Sequence, residues 1–300
     1  MPTTNNAPRA TMTHSNPTIY LNGRFVPKSA AAISVDERGM FYGDGVYEVL
    51  RFYAGRPLAM DLHVDRMRKS LSRIEMTEPE GLDRFLNVAE TLLEKNKLTN
   101  ARFYWQITRG ASPRNVNYPD VPPTELVIVD PAAPLNPDAP VPTLTATLTP
   151  DERWANCWIK SLMLLPNVLA SNAAHRAGFD SAILHRDGTV TEATNSNAMI
   201  VRAGELWTHP ANRYILNGVT RQLILRCARE IGVTVHEQTY TTDQLLTADE
   251  VLLTGTTIHV TAITKVDQQT IDDGKPGPVT QRLHDALNDL IANECLQQVG

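Results

Sequence analysis

Lys160 is the lysine of this 300-residue chain whose surroundings suggest chemistry. It follows the apolar segment Cys157-Trp158-Ile159 and precedes Leu162 to Leu165, with no acidic residue adjacent. Burial in such surroundings disfavours the ammonium ion and lowers the lysine pKa, which favours attack of the neutral amine on a carbonyl carbon. The alternative is a lysine at a strand end whose stem packs while its charge reaches water.

Tyr47 and a basic pair are further candidates in the first half of the chain. The glycine turn Gly43-Asp44-Gly45 precedes Tyr47 and can present it at a cleft, although an ordinary turn with a half-buried tyrosine gives the same pattern. His63 and Arg66 are three residues apart, so a helix places both on one face, where they offer two basic groups to one anion. The alternative is a solvated helix face.

A helix start and a hydroxyl-rich turn offer a place for a phosphate in the second half. Leu216 to Arg221 opens a predicted helix with a glycine at position 218, and the free N–H groups of such a start attract anions. Thr254-Gly255-Thr256-Thr257 adds hydroxyl groups, and Glu192 precedes the polar segment Thr194 to Asn197. Each segment is also compatible with a plain turn or strand end.

Composition and charge exclude several classes of protein. Lys and Arg number 28 and Asp and Glu 33, so the net charge of -5 favours neither nucleic acid nor an anionic membrane as partner, and any anion must be held locally. Three widely spaced cysteines without a C-x-x-C pair argue against a disulfide framework or a structural metal site. No segment is apolar enough for a signal-peptide core or a membrane span, so we expect a cytoplasmic protein.

The elements that must position these residues fall on either side of a proline-rich segment. Five of the twelve positions from 131 to 142 are proline, which predicts an extended linker. We expect a disordered leader over 1–17, a small α/β domain over 18–130, the linker over 131–142 and a second domain over 143–300. Hydrophobic periodicity predicts the following elements. Strands are expected over 19–26, 45–53, 102–108, 126–129, 144–148, 182–184, 189–191 and 198–201, and helices around 62–74, 85–93, 164–177, 218–231 and 283–291.

Taken in order, these segments resemble the class IV pyridoxal-phosphate aminotransferases. The resemblance covers about 19–291 and rests on six ordered stretches, which begin at Asp36, Gly43, Arg153, Thr189, Gly218 and Thr254. It implies a two-domain α+β fold with mixed α/β character, in which the cofactor lies between a smaller N-terminal domain and a larger C-terminal cofactor-binding domain. It further implies a homodimer with active sites near the subunit interface.

The resemblance also assigns roles to individual residues. Lys160 matches the lysine that binds pyridoxal 5'-phosphate as a Schiff base and shuttles a proton, and Glu192 matches the acid that faces the pyridine nitrogen. Arg66 matches the phosphate-binding arginine. The other implied cofactor-binding residues are Leu216, Val219, Thr220 and Thr256, and the implied substrate-binding residues are Tyr47, Arg114 and Thr257.

Ser112-Pro113-Arg114 resembles the carboxylate-binding loop of the D-amino acid aminotransferase subgroup. This implies ping-pong transamination between D-amino acids, such as D-alanine, and 2-oxo acids, such as 2-oxoglutarate. Two positions depart from the subgroup: Val116 replaces a histidine, and His259 stands where an acidic residue is frequent. The alternatives are branched-chain aminotransferase, (R)-selective amine transaminase, aminodeoxychorismate lyase and, from another class, a catalytically silent cofactor-binding protein.

Overall fold

The computed structural model describes residues 16–79 and 82–297. Apart from Asn16 and Pro17, the expected leader over 1–17 lies outside these residues. Within the described ranges, no helix combines the length and the apolar character needed to cross a membrane.

The first half of the chain forms a six-stranded antiparallel sheet with the strand order β2-β1-β6-β5-β3-β4. Its elements are β1 (Thr18–Leu21), β2 (Arg24–Pro27), α1 (Arg38–Tyr42), β3 (Gly45–Tyr53), β4 (Arg56–Pro57), α2 (Met60–Arg73), α3 (Phe85–Asn96), β5 (Ala101–Thr108) and β6 (Thr124–Pro131). Alternate residues of β5, among them Phe103 and Trp105, point into the core because strand side chains alternate between faces. Met67 of α2 and Phe85 of α3 pack against them, so both helices share this core.

The second half forms a mixed nine-stranded sheet. Eight strands follow the order β12-β11-β10-β13-β14-β7-β8-β9, and β15 pairs with β14. The elements are β7 (Thr143–Pro150), α4 (Leu165–Arg176), β8 (Ser181–Arg186), β9 (Thr189–Ala193), β10 (Asn197–Arg202), β11 (Glu205–Thr208), α5 (Val219–Glu230), β12 (Val235–Glu237), α6 (Thr242–Leu246), β13 (Glu250–Gly255), β14 (His259–Val266), β15 (Gln269–Thr270) and α7 (Pro278–Ile291). Leu223 of α5 and Leu283 of α7 pack on one core of this sheet with Leu252.

The start of β3 contacts the loop that follows β7. Residues 132–142 connect β6 to β7 along the chain, while Val46 of β3 forms an isolated β-bridge with Ser161. The helices and strands predicted from hydrophobic periodicity are confirmed as elements of this mixed α/β fold. The division into domains over 18–130 and 143–300 stays a prediction.

Candidate active site

A cleft of about 790 Å³ between the two sheets gathers eight of the ten site residues predicted from the sequence. The eight residues in its wall are Tyr47, Arg66, Lys160, Glu192, Leu216, Val219, Thr220 and Thr256.

Lys160 is positioned by backbone pairing with the start of β3. Its carbonyl oxygen accepts a hydrogen bond from the Tyr47 N–H at 3.0 Å, and its own N–H donates to Ser70 Oγ of α2 at 3.2 Å. The half-buried side chain places Nζ 4.2 Å from the centroid of the Tyr47 ring, which stacks on Tyr104 with a centroid distance of 5.4 Å. Within 16–79 and 82–297 no ion pair is found for Lys160, so its amine faces the cleft without a carboxylate partner.

Glu192 is a buried carboxylate on β9 whose oxygens are both engaged. Arg153 Nη1 donates to Oε1, while Asn197 Nδ2 and the Leu216 N–H donate to Oε2 at 2.9 and 3.1 Å. Burial raises the pKa of Glu192, and the Arg153 guanidinium opposes that rise. The carboxylate is therefore fixed in direction and balanced by one adjacent cation.

Arg153 is held in turn by Asp151, and no role was predicted for either residue. Arg153 donates to Asp151 from Nε at 2.9 Å and from Nη2 at 2.8 Å. Although burial favours the neutral acid, Arg153, Arg186 and Thr191 lower the pKa of Asp151 to about 2. The spacing Asp151-x-Arg153, just after β7, was the signal in the sequence that these two side chains could form an ion pair.

The N-terminus of α5 forms the opposite wall of the cleft. Its N-cap, Gly218, has no side-chain cap, so N–H groups of the first turn at Val219 and Thr220 have no intrahelical acceptor. A Cβ atom at Gly218 would lie 2.1 Å from Asn197 Oδ1, which explains why glycine stands there. Two buried hydroxyls that line the same cleft, Ser196 Oγ and Thr254 Oγ1, have no hydrogen-bond partner.

Arg66 lines the cleft, but it does not form a free basic pair with His63. Arg66 donates to the two oxygens of Glu48 from Nε and Nη2, both at 2.7 Å, and His63 Nδ1 lies 2.7 Å from Glu48 Oε2. The anion shared by this pair is therefore a buried carboxylate of the chain itself, and His63 lies outside the cleft wall. The solvated-face alternative is wrong for His63. Arg66 Nη1, which donates to Asn217 O at 3.2 Å, points toward the start of α5.

Arg114 and Thr257 lie outside the cleft. Arg114 is on an exposed loop between β5 and β6, with its guanidinium carbon 5.6 Å from the centroid of the Tyr42 ring. Val116, two residues on, is 75% exposed. Thr257 is exposed and lines a neighbouring groove together with His259.

The residues of the cleft fit pyridoxal 5'-phosphate. The Lys160 amine, which has no carboxylate partner, suits the aldehyde of that cofactor, and the buried Glu192 carboxylate suits its ring nitrogen. The uncapped start of α5 and the two unpaired hydroxyls suit its phosphate ester.

Comparison with known proteins identifies the family. The model of amino-transferase class IV matches residues 45–266. D-alanine aminotransferase of Listeria monocytogenes is 40% identical over 280 residues, which are 92% of this chain and 97% of that protein. The Staphylococcus aureus (strain N315) enzyme of the same name is 37% identical over 282 residues, covering 93% and 99%.

Solved structures agree with this result. The branched-chain amino acid aminotransferase of Escherichia coli superposes with a TM-score of 0.87 at 26% identity, covering 95% of this chain and 98% of the other. The T.th. branched-chain enzyme with pyridoxamine 5'-phosphate gives a TM-score of 0.84 at 27% identity, covering 95% and 96%. The chain therefore belongs to the class IV aminotransferases, pyridoxal-phosphate-dependent enzymes that move an amino group between amino acids and oxo acids.

Proposed function

We propose that this enzyme transfers the amino group of D-amino acids such as D-alanine to 2-oxo acids such as 2-oxoglutarate by a ping-pong mechanism. The observation that carries the proposal is the convergence of the Lys160 amine, the Glu192 carboxylate and the start of α5 in one cleft. The similarity to D-alanine aminotransferases over more than nine tenths of the chain supports the D-amino acid as donor.

Lys160 binds the cofactor and moves the proton of the reaction. Its Nζ, above the Tyr47 ring, is the base that would take the proton from the substrate α-carbon and hold it for return. When bound, pyridoxal 5'-phosphate supplies the electron sink for this proton transfer. A single lysine serves one face only, so the orientation of the substrate carboxylate decides between D- and L-amino acids.

Glu192 and the start of α5 hold the two ends of the cofactor. Glu192, fixed by Arg153 and Asn197, would hold the ring nitrogen of the cofactor and stabilise a proton there. The backbone N–H groups of Val219 and Thr220 bind the phosphate, together with Arg66 and Thr256 in the same wall. Leu216 forms part of the wall between these two ends and orients Glu192 through its N–H.

The substrate carboxylate is bound by Tyr47 and Arg114 in a homodimer. Arg114 lies outside the cleft of its own protomer, so we place its guanidinium at the partner's cleft. Large apolar side chains are exposed on the loop before α1 and on α4, notably Val35 at 79% and Leu165 at 68%. A second copy that covers them gives an isologous dimer, the commonest soluble oligomer.

We place the enzyme in the cytoplasm. Its three cysteines, Cys157, Cys227 and Cys295, are all buried and free. Free thiols at such positions suit a reducing compartment.

Transamination of branched-chain L-amino acids is the second candidate function. The solved branched-chain aminotransferases of the same fold favour it, as does the turn that carries Thr256 and Thr257, which resembles the carboxylate-binding turn of that subgroup.

A direct test adds D-alanine, L-leucine or (R)-1-phenylethylamine separately to the holoenzyme and follows the change in cofactor absorbance. We expect rapid conversion with D-alanine. Conversion by L-leucine alone makes the enzyme a branched-chain aminotransferase, and conversion by the amine alone makes it an amine transaminase. No conversion by any donor, with cofactor still bound, indicates a catalytically silent binding protein.

A further inference from the structure

A second cavity, of about 1010 Å³, lies beside the cleft between the proline-rich connection and the start of β14. We call it the linker groove. Its polar side chains are those of Arg51, Asn136, Thr257, His259, Thr261, His284 and Asn288, and the rest of its wall is aliphatic or proline. None of the residues in this described wall is acidic.

Arg51 gives the linker groove an uncompensated positive charge. Its Nη2 donates to Ala133 O at 2.7 Å and its guanidinium carbon lies 4.8 Å from the centroid of the Tyr53 ring. Its Nε is buried without a hydrogen-bond partner, and within the described ranges no carboxylate forms an ion pair with it. A partly buried cation of this kind favours an anionic ligand.

Two histidines extend the polar wall. His259 Nε2 lies 2.6 Å from the Tyr53 hydroxyl, and His284 Nε2 lies 3.2 Å from Asn288 Nδ2. Burial, together with the nearby Arg51 and His284, lowers the pKa of His259 to about 4. The His259 imidazole thus stays neutral at pH 7 and can donate or accept hydrogen bonds, which leaves Arg51 as the charged group of this wall.

The linker groove adjoins the cleft. A small cavity between them shares Val219, Thr220 and Thr256 with the cleft and shares Arg51 and His259 with the groove. Tyr47 and Arg51 lie on the same face of β3, four residues and therefore about 13 Å apart along the strand. A five-carbon diacid with one carboxylate near Tyr47 can place its other carboxylate within reach of the extended Arg51 side chain.

We propose that the linker groove binds the distal carboxylate of a dicarboxylic amino acid or oxo acid, with Arg51 as its main cation and Thr257 and His259 as further hydrogen-bonding groups. The proposal rests on the proposed function, because it places the reacting end of that substrate at Lys160. It makes Arg51 a residue that distinguishes dicarboxylic from monocarboxylic substrates.

The test compares Arg51→Gln with the parent enzyme in both directions of one reaction, D-alanine with 2-oxoglutarate and D-glutamate with pyruvate. KM is thereby measured for a dicarboxylic pair, D-glutamate and 2-oxoglutarate, and for a monocarboxylic pair, D-alanine and pyruvate. We expect KM for the dicarboxylic pair to rise at least ten-fold, as for loss of a charge-assisted hydrogen bond, with KM for the monocarboxylic pair unchanged. Arg51→Lys keeps the charge and should retain most of the preference. Arg24→Gln, at an exposed arginine on β2 outside both cavities, is the matched control.

Binding of glutarate, measured by calorimetry on the holoenzyme, separates this proposal from the proposed function. If no D-amino acid reacts but glutarate binds and Arg51→Gln weakens its binding, the proposed function fails while the groove stands. Equal losses for both substrate pairs in Arg51→Gln overturn the proposal, as does glutarate binding that the variant leaves unchanged. Glutarate inhibition that is noncompetitive with every substrate shows a separate carboxylate ligand and also overturns it.

Discussion

Replacing Arg66 with alanine tests the structure at a buried ion pair that also forms the cofactor site. Glu48 is fully buried on β3, and Arg66 supplies two of the hydrogen bonds to its carboxylate, each 2.7 Å long. In Arg66→Ala, Glu48 keeps its contact with His63 but loses both hydrogen bonds from the guanidinium. We expect a loss of stability and, separately, a loss of cofactor affinity.

The pKa of Glu48 shows that its partners stabilise the buried carboxylate. Burial alone favours the neutral acid, yet Arg66 and His63 lower the pKa of Glu48 from 4.5 to about 2. Removing one partner of a buried ion pair typically costs about 3 to 5 kcal/mol, so we expect Arg66→Ala to lose about that much stability at neutral pH. Because the folded-state pKa is depressed, this contribution is present above pH 4.5 and is lost as the pH falls toward 2.

The stability loss is measured by urea unfolding of the cofactor-free protein at pH 7.5, followed by tryptophan fluorescence. Arg66→Lys, which keeps a charge, should lose less than Arg66→Ala. Arg68→Ala is the matched control on the same helix, because Arg68 pairs with the exposed Glu78 and Asp83, and its loss should be much smaller. Equilibrium dialysis should show the cofactor bound about 10- to 150-fold more weakly by Arg66→Ala, from a lost contact worth about 1.5 to 3 kcal/mol.

The two outcomes can fail independently. If Arg66→Ala unfolds at the same urea concentration as Arg68→Ala, the Glu48 ion pair does not contribute the expected free energy. If Arg66→Ala binds pyridoxal 5'-phosphate as tightly as the parent, Arg66 is not a phosphate ligand, whatever its effect on stability.

Four further predictions follow from individual contacts. Lys160→Ala should abolish turnover and the covalent cofactor adduct that borohydride traps in the parent, as read by mass spectrometry; an adduct of unchanged yield contradicts the assignment. Gly218→Ala should lower stability by about 1 to 3 kcal/mol in thermal unfolding, because its Cβ would lie 2.1 Å from Asn197 Oδ1. Burial lowers the pKa of His259 from 6.5 to about 4, so the neutral imidazole contributes stability above pH 6.5 that is lost as the pH falls toward 4; His259→Asn should flatten this part of the pH–stability curve. Arg114→Gln should raise KM for D-alanine at least ten-fold while leaving the yield of the borohydride-trapped cofactor adduct unchanged, because Arg114 contacts the substrate carboxylate and not the cofactor.

Local sequence patterns predicted the elements because each pattern reports on the burial of one strand or helix. The alternation in 102–108 predicts β5, and the spacing of Met67 and Leu71 predicts α2. The short helix α1 was not predicted, because five residues give no periodicity; it is defined by its caps, the Glu37 side chain and the left-handed Gly43.

The networks behind the site were not predicted, because their members are far apart in the sequence. Arg153 and Glu192 are 39 residues apart, and Glu48 and Arg66 are 18 apart. A charged residue within the apolar strand Val46 to Leu50 was a signal that Glu48 needs a buried partner, but the sequence does not say which one.

The sequence by itself determined the mixed α/β elements, the family and the chemical types of the site residues, since these depend on local pattern and residue identity. Only the tertiary structure decided that Arg66 is held by Glu48 and that Arg153 balances Glu192. It also decided that Thr256 faces the cleft while the adjacent Thr257 faces the linker groove with Arg51 and His259. The physical reason is that hydrogen bonds, desolvation and charge balance act over a few ångströms in space, and the chain fixes those distances only when both sheets pack together.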